Sequence, residues 1–414
     1  MAVINYLTLD NVSTAGKTVL VRVDLNSPMS PDGVILDDSR FKSHLPTLKD
    51  LIDSKVVLLA HQSRPGKRDF TTMKAHAQRL QRLCMRTVTY VDDIFGSHAI
   101  DAIKSMENGD IILLENVRFY SEESLSRSPA EHANSIMVKN LSSHADIFVN
   151  DAFAVSHRSH LSVVGFTGVL PSVAGRLMEK EIKSLSRGFS KEGAVFVLGG
   201  IKANDSIDVI ENVAARDEVE AIIVTGLVAN VFLAANGIDI GRKNLDFINS
   251  IGYAMEIDRA RKLLAKYGDK IKVPVDLACA DRDDPDKRVE VSVSELPTDL
   301  LIKDIGIDTI VSFSEMISNA ETVIMNGPAG VFEKDAFALG TRELLLAATK
   351  SKFSIVGGGH IAAEVHTLGI ESMISHISTG GGACIDFLSG RSLPGIEALT
   401  QAYKRFKNNL FTKG

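Results

Sequence analysis

Residues 171–189 read PSVAGRLMEKEIKSLSRGF, and this stretch decides how the rest of the chain is divided. Leu177, Ile182 and Leu185 are apolar and charged residues lie between them, a pattern that predicts an amphipathic helix. Short runs of β-branched and other apolar residues occur on both sides of it. We therefore expect residues 171–190 to form a helix that joins two domains.

The apolar runs on both sides are continuous, which is typical of strands buried on both faces of a sheet. Amphipathic segments of helical length separate them, as the crossovers between parallel strands require. The predicted strands are Val19–Leu25, Val56–Ala60, Val88–Val91, Ile111–Leu114 and Ile147–Val149, then Ala194–Leu198, Ala221–Val224, Lys272–Val275, Thr322–Met325 and Phe353–Val356. The sequence thus predicts an α/β protein with two doubly wound, parallel-sheet (Rossmann-like) lobes.

The length of the chain favours two domains over one. Domains usually run about 100 to 200 residues, and this chain has 414. A single sheet of ten strands would lie at the upper end of the normal size. The alternative, an ordinary crossover helix inside one large domain, stays open at this point. On the favoured interpretation the domains are residues 1–170 and 191–390, and residues 391–414 form a separate C-terminal segment.

Composition and charge exclude several classes of protein. Apolar residues make up 45% and charged residues 24%, which is typical of a globular chain and not of a disordered one. A net charge of −6 provides no global basic field, so we expect no nucleic-acid partner. The sequence has no signal-like N-terminus and no apolar run of about 18 residues, so we expect no membrane partner. Cys84, Cys279 and Cys384 form no CxxC pair, which favours a reducing, cytoplasmic location.

Polar side chains follow the predicted strands of the first half, where ligands of parallel sheets bind. These residues are Asp24, Asn26, Arg40, His61, Arg64, Arg118, His157, Arg158 and His160. Arginine's fork of donors matches carboxylate and phosphate oxygens, so the group predicts a small ligand with several negative charges. Any one of these arginines alone would more often be a solvated surface residue. Their recurrence at successive strand ends is what favours a site.

Glycines follow the strands of the second half at the corresponding positions. They include Gly199 and Gly200 before Lys202, two glycine triplets, and the segment NGPAGVFE that ends at Glu333. Glycine lets backbone N–H groups approach a phosphate closely, so the pattern predicts a nucleotide. Lys202 is a candidate for its polyphosphate and Glu333 for its ribose. Residues 15–18, AGKT, resemble the end of a Walker A loop but precede a strand instead of following one.

Eleven segments resemble, in order, the signatures of the phosphoglycerate kinase family. They are VLVRVDLNSP, DDSR, HQSRP, LLENVRF, NDAFAVSHRSH, LPSVAGRLMEKE, VLGGIKAND, NGPAGVFE, GGGH, STGGGA and LPGIEAL. The resemblance implies a bilobal fold with a hinge helix and a C-terminal tail that returns to the first lobe. It also implies an enzyme of glycolysis and gluconeogenesis that transfers a phosphoryl group between 1,3-bisphosphoglycerate and ADP, giving 3-phosphoglycerate and ATP, with Mg²⁺ on the nucleotide. Hinge bending near residues 171–190 is the implied motion.

The same resemblance assigns residues to the two substrates. The phosphoglycerate would be bound by Asp24, Asn26, Arg40, His61, Arg64, Arg118 and Arg158. The nucleotide would be bound by Gly200, Lys202, Asn326, Glu333, Gly357, Gly358, Gly359, His360, Gly380, Gly381 and Gly382. Arg40 and Lys202, one from each lobe, would contact the transferring phosphoryl group. No metal ligand is assigned.

Two positions depart from the pattern of many family members, and archaeal-type members are most similar in both. His360 stands where many members carry an acidic residue, and Ser206 replaces a second lysine. A catalytically inactive nucleotide-binding regulatory protein on the same fold is the main alternative, which the retained arginines and Lys202 disfavour. A dinucleotide-dependent dehydrogenase is a third possibility, which the lack of a GxGxxG motif disfavours.

Overall fold

The computed structural model describes residues 5–187, 189 and 192–410 and divides the chain into two compact units. The first unit consists of the chain up to Ile182 together with the C-terminal segment from Ser392. The second unit runs from Lys183 to Arg391. The division falls inside the helix predicted for residues 171–190. Residues 188 and 190 of that prediction lie outside the described residues, as do residues 1–4 of the predicted first domain and 411–414 of the predicted tail.

The first unit is built on a six-stranded sheet in which every pairing is parallel. Its strands are β1 (Thr18–Arg22), β2 (Lys55–Leu59), β3 (Val88–Tyr90), β4 (Ile111–Leu113), β5 (Ile147–Asn150) and β6 (Ser172–Ala174). They lie in the order β3-β4-β2-β1-β5-β6. The five strands predicted for this half are confirmed, and only their ends differ.

Helices cover both faces of this sheet. They are α1 (Ser39–Asp50), α2 (Lys74–Cys84), α3 (Ser97–Ser105), α4 (Pro129–His132), α5 (Ile136–Ser142) and α6 (Leu161–Val164). Val19 and Val21 of β1 belong to one buried apolar cluster and Leu20 belongs to another. Because successive side chains of a strand point to opposite faces, both faces are buried, as the continuous apolar runs predict.

The segment predicted to be wholly helical begins with a strand. Ser172–Ala174 pairs in parallel with β5, and helix α7 runs from Arg176 to Arg187. Gly175 lies between them, where a Cβ atom would come within 2.2 Å of Asp151 Oδ1. That oxygen accepts a hydrogen bond of 2.9 Å from Leu177 N and so caps the helix. The prediction of a helix from residue 171 is therefore wrong, because a three-residue strand has no periodicity that separates it from a helix.

The second unit contains two sheets. Its strands are β7 (Ala194–Leu198), β8 (Val219–Val224), β9 (Ile271–Lys272), β10 (Asp276–Ala280), β11 (Arg288–Ser292), β12 (Leu301–Ile305), β13 (Thr322–Asn326), β14 (Ser354–Gly357) and β15 (His376–Ile377). A parallel sheet has the order β15-β14-β13-β7-β8-β9, and an antiparallel one has the order β11-β10-β12. The predicted strand Lys272–Val275 is wrong beyond Lys272, since the chain leaves the parallel sheet there and enters the antiparallel one at Asp276.

Helix N-termini gather at the carboxyl edge of the second parallel sheet. The helices of this unit are α8 (Ala203–Val213), α9 (Gly226–Ala235), α10 (Arg242–Ser250), α11 (Ala254–Tyr267), α12 (Ile307–Asn319), α13 (Leu339–Ala348), α14 (Gly359–Leu368) and α15 (Gly381–Leu388). Helices α8, α9, α14 and α15 each begin shortly after the carboxyl end of a strand of this sheet. Their free N–H groups make this edge suited to anions.

The C-terminal segment returns to the first unit, as the family resemblance implies. Helix α16 (Pro394–Leu410) begins with Gly395 N donating to Ser156 O at 2.9 Å. Ala398 packs with Val155 and Val163 in a small buried cluster. Short 3-10 helices complete the described chain, at Leu9–Asn11, Val117–Phe119, Phe153–Val155, Gly165–Gly168, Val293–Glu295, Asp335–Phe337 and Glu371–Met373. Over the residues that the structure describes, no helix combines the length and apolar character needed to cross a membrane.

Candidate active site

Asp24 and Arg40 form an ion pair beyond the carboxyl end of β1. Arg40 lies in the first turn of α1, and its Nη1 donates to Asp24 Oδ2. Asn26 N donates to Asp24 Oδ1 at 3.1 Å. Burial raises the pKa of Asp24, but Arg40, Arg22 and the hydrogen bond from Asn26 N outweigh it and lower that pKa to about 2. The carboxylate therefore stays ionised and orients the guanidinium of Arg40.

His44 and Asp151 hold Asp24 in place, although the sequence did not predict this role. His44 Nδ1 lies 2.7 Å from Asp151 Oδ2, and His44 Nε2 accepts a hydrogen bond of 3.0 Å from Asp24 N. Both side chains are buried, and Asp151 also caps α7. A histidine on the apolar face of a helix has the sequence pattern of a core residue, so no local signal could separate this role from packing.

Arg118 and Arg158 lie close to two histidines in the same unit. Burial, together with the positive charges of Arg118 and Arg158, lowers the pKa of His160 to about 3. Arg158 Nε donates to His157 Nε2 at 3.0 Å. Burial, with Arg22 and Arg158 nearby, also lowers the pKa of Arg118 to about 10. The strand-end residues therefore converge into one electropositive cluster.

Buried atoms without partners make this cluster a candidate binding site. Arg118 Nε and His160 Nδ1 are buried and have no hydrogen-bond partner among the described residues. Each such atom costs about 1–3 kcal/mol unless a ligand or water satisfies it. Two of them beside several positive charges indicate a site for a multiply anionic ligand.

The remaining predicted residues of this half occupy different environments. Asn26 Oδ1 accepts a hydrogen bond of 2.8 Å from Ser63 N, which joins the loops after β1 and β2. Arg118 Nη1 donates to Ser63 O, so Ser63 connects three strand ends. Arg64 is exposed and makes no side-chain hydrogen bond or ion pair within the described part of the chain. The structure therefore brings Asp24, Asn26, Arg40, His61, Arg118 and Arg158 together, with Arg158 exposed, whereas Arg64 is exposed and unpaired among the described residues.

The low pKa of Asp24 predicts a specific acid sensitivity. The usual pKa is 3.8 and the folded value is about 2, so ionised Asp24 stabilises the fold above pH 4 and this contribution is lost as the pH falls through 2. The shift corresponds to about 2 kcal/mol. We expect the loss in free energy of unfolding caused by Asp24→Asn to shrink by about half between pH 5 and pH 3. Urea denaturation at each pH measures it, with the exposed Asp32→Asn as control, and a pH-independent difference would refute it.

In the second unit, the loops after β7 and β13 are in direct contact. Gly199 N donates to Asn326 O at 2.9 Å, and Gly200 N donates to Pro328 O at 2.7 Å. A Cβ atom at Gly199 would lie 2.5 Å from Pro328 O. Gly200 has φ +79°, a conformation that other residues rarely adopt. The glycines are therefore required by this close approach of two backbones.

The two glycine triplets are also neighbours. A Cβ atom at Gly381 would lie 3.7 Å from Gly358 Cα, and one at Gly357 would lie 2.9 Å from Asn326 Nδ2. That Nδ2 is buried and has no partner among the described residues. At Gly359, in contrast, an added Cβ would meet no atom within 4 Å. The N-terminus of α14 is therefore open to a ligand, and an unsatisfied donor lies against the glycine triplet that precedes it, an arrangement that suits phosphate.

Three predicted side chains border this edge. Lys202 directly precedes α8, and its side chain is 77% exposed with Nζ 4.0 Å from Asp205 Oδ2. Glu333 is exposed, and the ring of the exposed His360 lies 5.7 Å from that of Phe332. Within the described chain, no three His, Cys, Asp or Glu side chains are grouped so that they could hold a metal ion.

Comparisons with known proteins agree with one another. A family model described as Phosphoglycerate kinase matches residues 9–391. The phosphoglycerate kinase of Methanosarcina mazei is 61% identical over 406 residues, 97% of each chain. That of Methanothermus fervidus is 50% identical over 406 residues, 97% of this chain and 98% of that protein.

Solved structures give the same result at lower identity. The crystal structure of the enzyme from Pyrococcus horikoshii matches with a TM-score of 0.88 at 41% identity, covering 97% of this chain and 100% of that one. The structure of phosphoglycerate kinase from Coxiella burnetii matches with a TM-score of 0.80 at 32% identity, covering 96% and 99%. Both alignments extend over the two parallel sheets described above.

Proposed function

Because the chain belongs to the phosphoglycerate kinase family, we propose that its two units bind the two substrates of one phosphoryl transfer. The basic cluster of the first unit binds 3-phosphoglycerate or 1,3-bisphosphoglycerate. The glycine-rich edge of the second unit binds ATP or ADP. The observation that carries this proposal is the pair of buried, unpartnered atoms Arg118 Nε and His160 Nδ1, which lie in the same basic cluster as Asn26 and Arg40.

The chemistry explains why positive side chains matter here and why a general base does not. In phosphoryl transfer, charge spreads over the oxygens of the group in flight, and catalysis rests on positioning and electrostatic stabilisation. The leaving group of an acyl phosphate is a carboxylate, which needs no general acid. We assign Arg40, oriented by Asp24, and the exposed Lys202 to the transferring phosphoryl group. A phosphoglycerate kinase is an enzyme of glycolysis and gluconeogenesis.

Mg²⁺ belongs to this proposal as part of the nucleotide substrate. In kinase sites Mg²⁺ is bound by oxygen ligands, among them the substrate phosphates, and the N–H donors of this edge would hold those phosphates. The ion neutralises phosphate charge, and no residue of this chain is assigned as its ligand. We also propose a cytoplasmic location, because Cys84, Cys279 and Cys384 are all free thiols, as in reducing compartments.

Gly359→Ala tests the nucleotide edge. Its Cβ would meet no protein atom within 4 Å, so the melting temperature should stay within about one degree of wild type. If phosphate occupies that space, the methyl group should weaken ATP binding at least about tenfold. Calorimetric titration with ATP measures this, and titration with 3-phosphoglycerate is the control because the first unit is unchanged. Unaltered ATP affinity would remove the triplet from the nucleotide site.

A further inference from the structure

A buried chain of hydrogen bonds leads from Glu123 to His61. Glu123 Oε1 accepts from Ser162 Oγ at 2.7 Å, and Glu123 Oε2 accepts from Ser162 N at 2.8 Å. Ser162 Oγ in turn accepts from Arg22 Nε at 2.8 Å. Arg22 Nη2 lies 3.1 Å from His61 Nδ1. None of these four residues is more than 2% exposed, so water does not compete for these bonds.

The direction of each hydrogen bond is fixed by chemistry. Both oxygens of Glu123 accept, which is the pattern of an ionised carboxylate. The hydroxyl of Ser162 donates its hydrogen bond to Glu123, and its oxygen accepts the hydrogen bond from Arg22. Burial lowers the pKa of Arg22 and raises that of Glu123, and each charge opposes the effect on the other. The negative charge of Glu123 therefore compensates the buried positive charge of Arg22, which would otherwise destabilise the fold.

Arg22 determines which nitrogen of His61 carries the proton. Guanidinium is a donor only, so His61 Nδ1 must accept and the single proton of the neutral ring is on Nε2. Asp24 Oδ1 is 3.9 Å from Nδ1, too far for a competing hydrogen bond. Burial, with the nearby arginines, lowers the pKa of His61 well below its usual value. Nε2 makes no hydrogen bond within the described part of the chain, so its N–H is free to donate.

We propose that Glu123 is a positioning residue that acts through Ser162 and Arg22 to hold His61 as the neutral Nε2–H tautomer. His61 then presents one fixed donor to the anionic ligand of the basic cluster. A purely structural role for Glu123, capping the short helix α6 through Ser162 N, would not depend on the serine hydroxyl. The proposal rests on the assignment of His61 to the phosphoglycerate site.

The test is ¹⁵N NMR of the histidine rings in the full chain without ligand at pH 7. His61 is assigned by the signals lost in His61→Asn. We expect wild-type Nδ1 at the shift of an unprotonated nitrogen and Nε2 at that of a protonated one. Ser162→Ala and Glu123→Gln should move these signals towards a mixture of tautomers. Ser162→Thr, which keeps the hydroxyl, should restore them, and the adjacent Glu122→Gln is the matched control.

Kinetics give the second readout. In Ser162→Ala and Glu123→Gln we expect the KM for 3-phosphoglycerate to rise about tenfold, the value of one hydrogen bond, with the KM for ATP unchanged. A wild-type ring protonated at Nδ1, or signals that do not respond in Ser162→Ala, would overturn the proposal. The spectra could respond as expected while His61→Asn leaves the KM for 3-phosphoglycerate unchanged. That result would overturn the assignment of His61 to the substrate site, and with it the proposal that its Nε2–H group donates to the ligand.

Discussion

Arg40→Ala should lower kcat about 10²- to 10³-fold, the typical effect of removing one donor to transition-state charge. Arg40 is oriented by the ionised, buried Asp24, so its guanidinium is fixed before substrate arrives. A preorganised charge of this kind acts mainly where negative charge develops, and the KM for ATP should therefore change little. Arg40→Lys keeps the charge but loses the two-pronged donor geometry, and should recover only part of the rate.

Steady-state kinetics in the direction of ATP consumption measure this effect. Lys42→Ala is the matched control, because Lys42 is an exposed cation two positions further along the same helix. It should leave kcat within about twofold of wild type. A melting curve for Arg40→Ala shows whether the variant is still folded at the assay temperature. We expect it to be folded, because Asp24 keeps its hydrogen bond from Asn26 N. Wild-type turnover in a folded Arg40→Ala enzyme would remove Arg40 from the catalytic role.

Lys202→Ala should depress kcat by about 10²-fold. Lys202 directly precedes α8 at the edge where the glycine loops meet, and its ammonium is exposed rather than committed to a buried partner. The sequence has Ser206 where many family members carry a second lysine, so no neighbouring lysine on α8 takes over this charge. A rise in the KM for ATP is compatible with this role, because the same charge faces the polyphosphate in the ground state.

Lys243→Ala is the control for Lys202, because Lys243 is an exposed lysine near the N-terminus of another helix in the same unit. It tests whether loss of any cation at a helix start lowers the rate. We expect no change in kcat or KM for Lys243→Ala. Equal effects of the two substitutions would show that Lys202 has no specific contact with the transferring group.

The two parallel sheets could be predicted because their strands are continuous apolar runs buried on both faces. Strand β11, Arg288–Ser292, is partly exposed along its length and contains charged residues, so a search for continuous runs does not detect it. Strand β6 is too short to have a period, and its pairing with β5 depends on contacts with a distant part of the chain. Tertiary pairing, not local pattern, therefore determines the elements that were missed.

The convergence of the polar residues of the first unit could be predicted because strand ends of a parallel sheet meet at one edge. The buried residues that support the site could not be predicted. Arg22 is visible in the sequence as a charge inside an apolar strand, yet its partner Ser162 lies 140 positions away. Glu123 sits in a loop beside Glu122, and nothing local shows that one is buried and the other is paired with an arginine at the surface. Whether such a polar residue supports the site or is solvated depends on burial by elements that are distant in the sequence.

The most direct test of the proposed function is the rate of ADP formation from ATP, Mg²⁺ and 3-phosphoglycerate by the purified full chain. We predict turnover that requires 3-phosphoglycerate and is absent when glycerate, which lacks the phosphate, replaces it. Nucleotide binding without 3-phosphoglycerate-dependent turnover would contradict the proposed function and favour an inactive regulatory protein on the same fold.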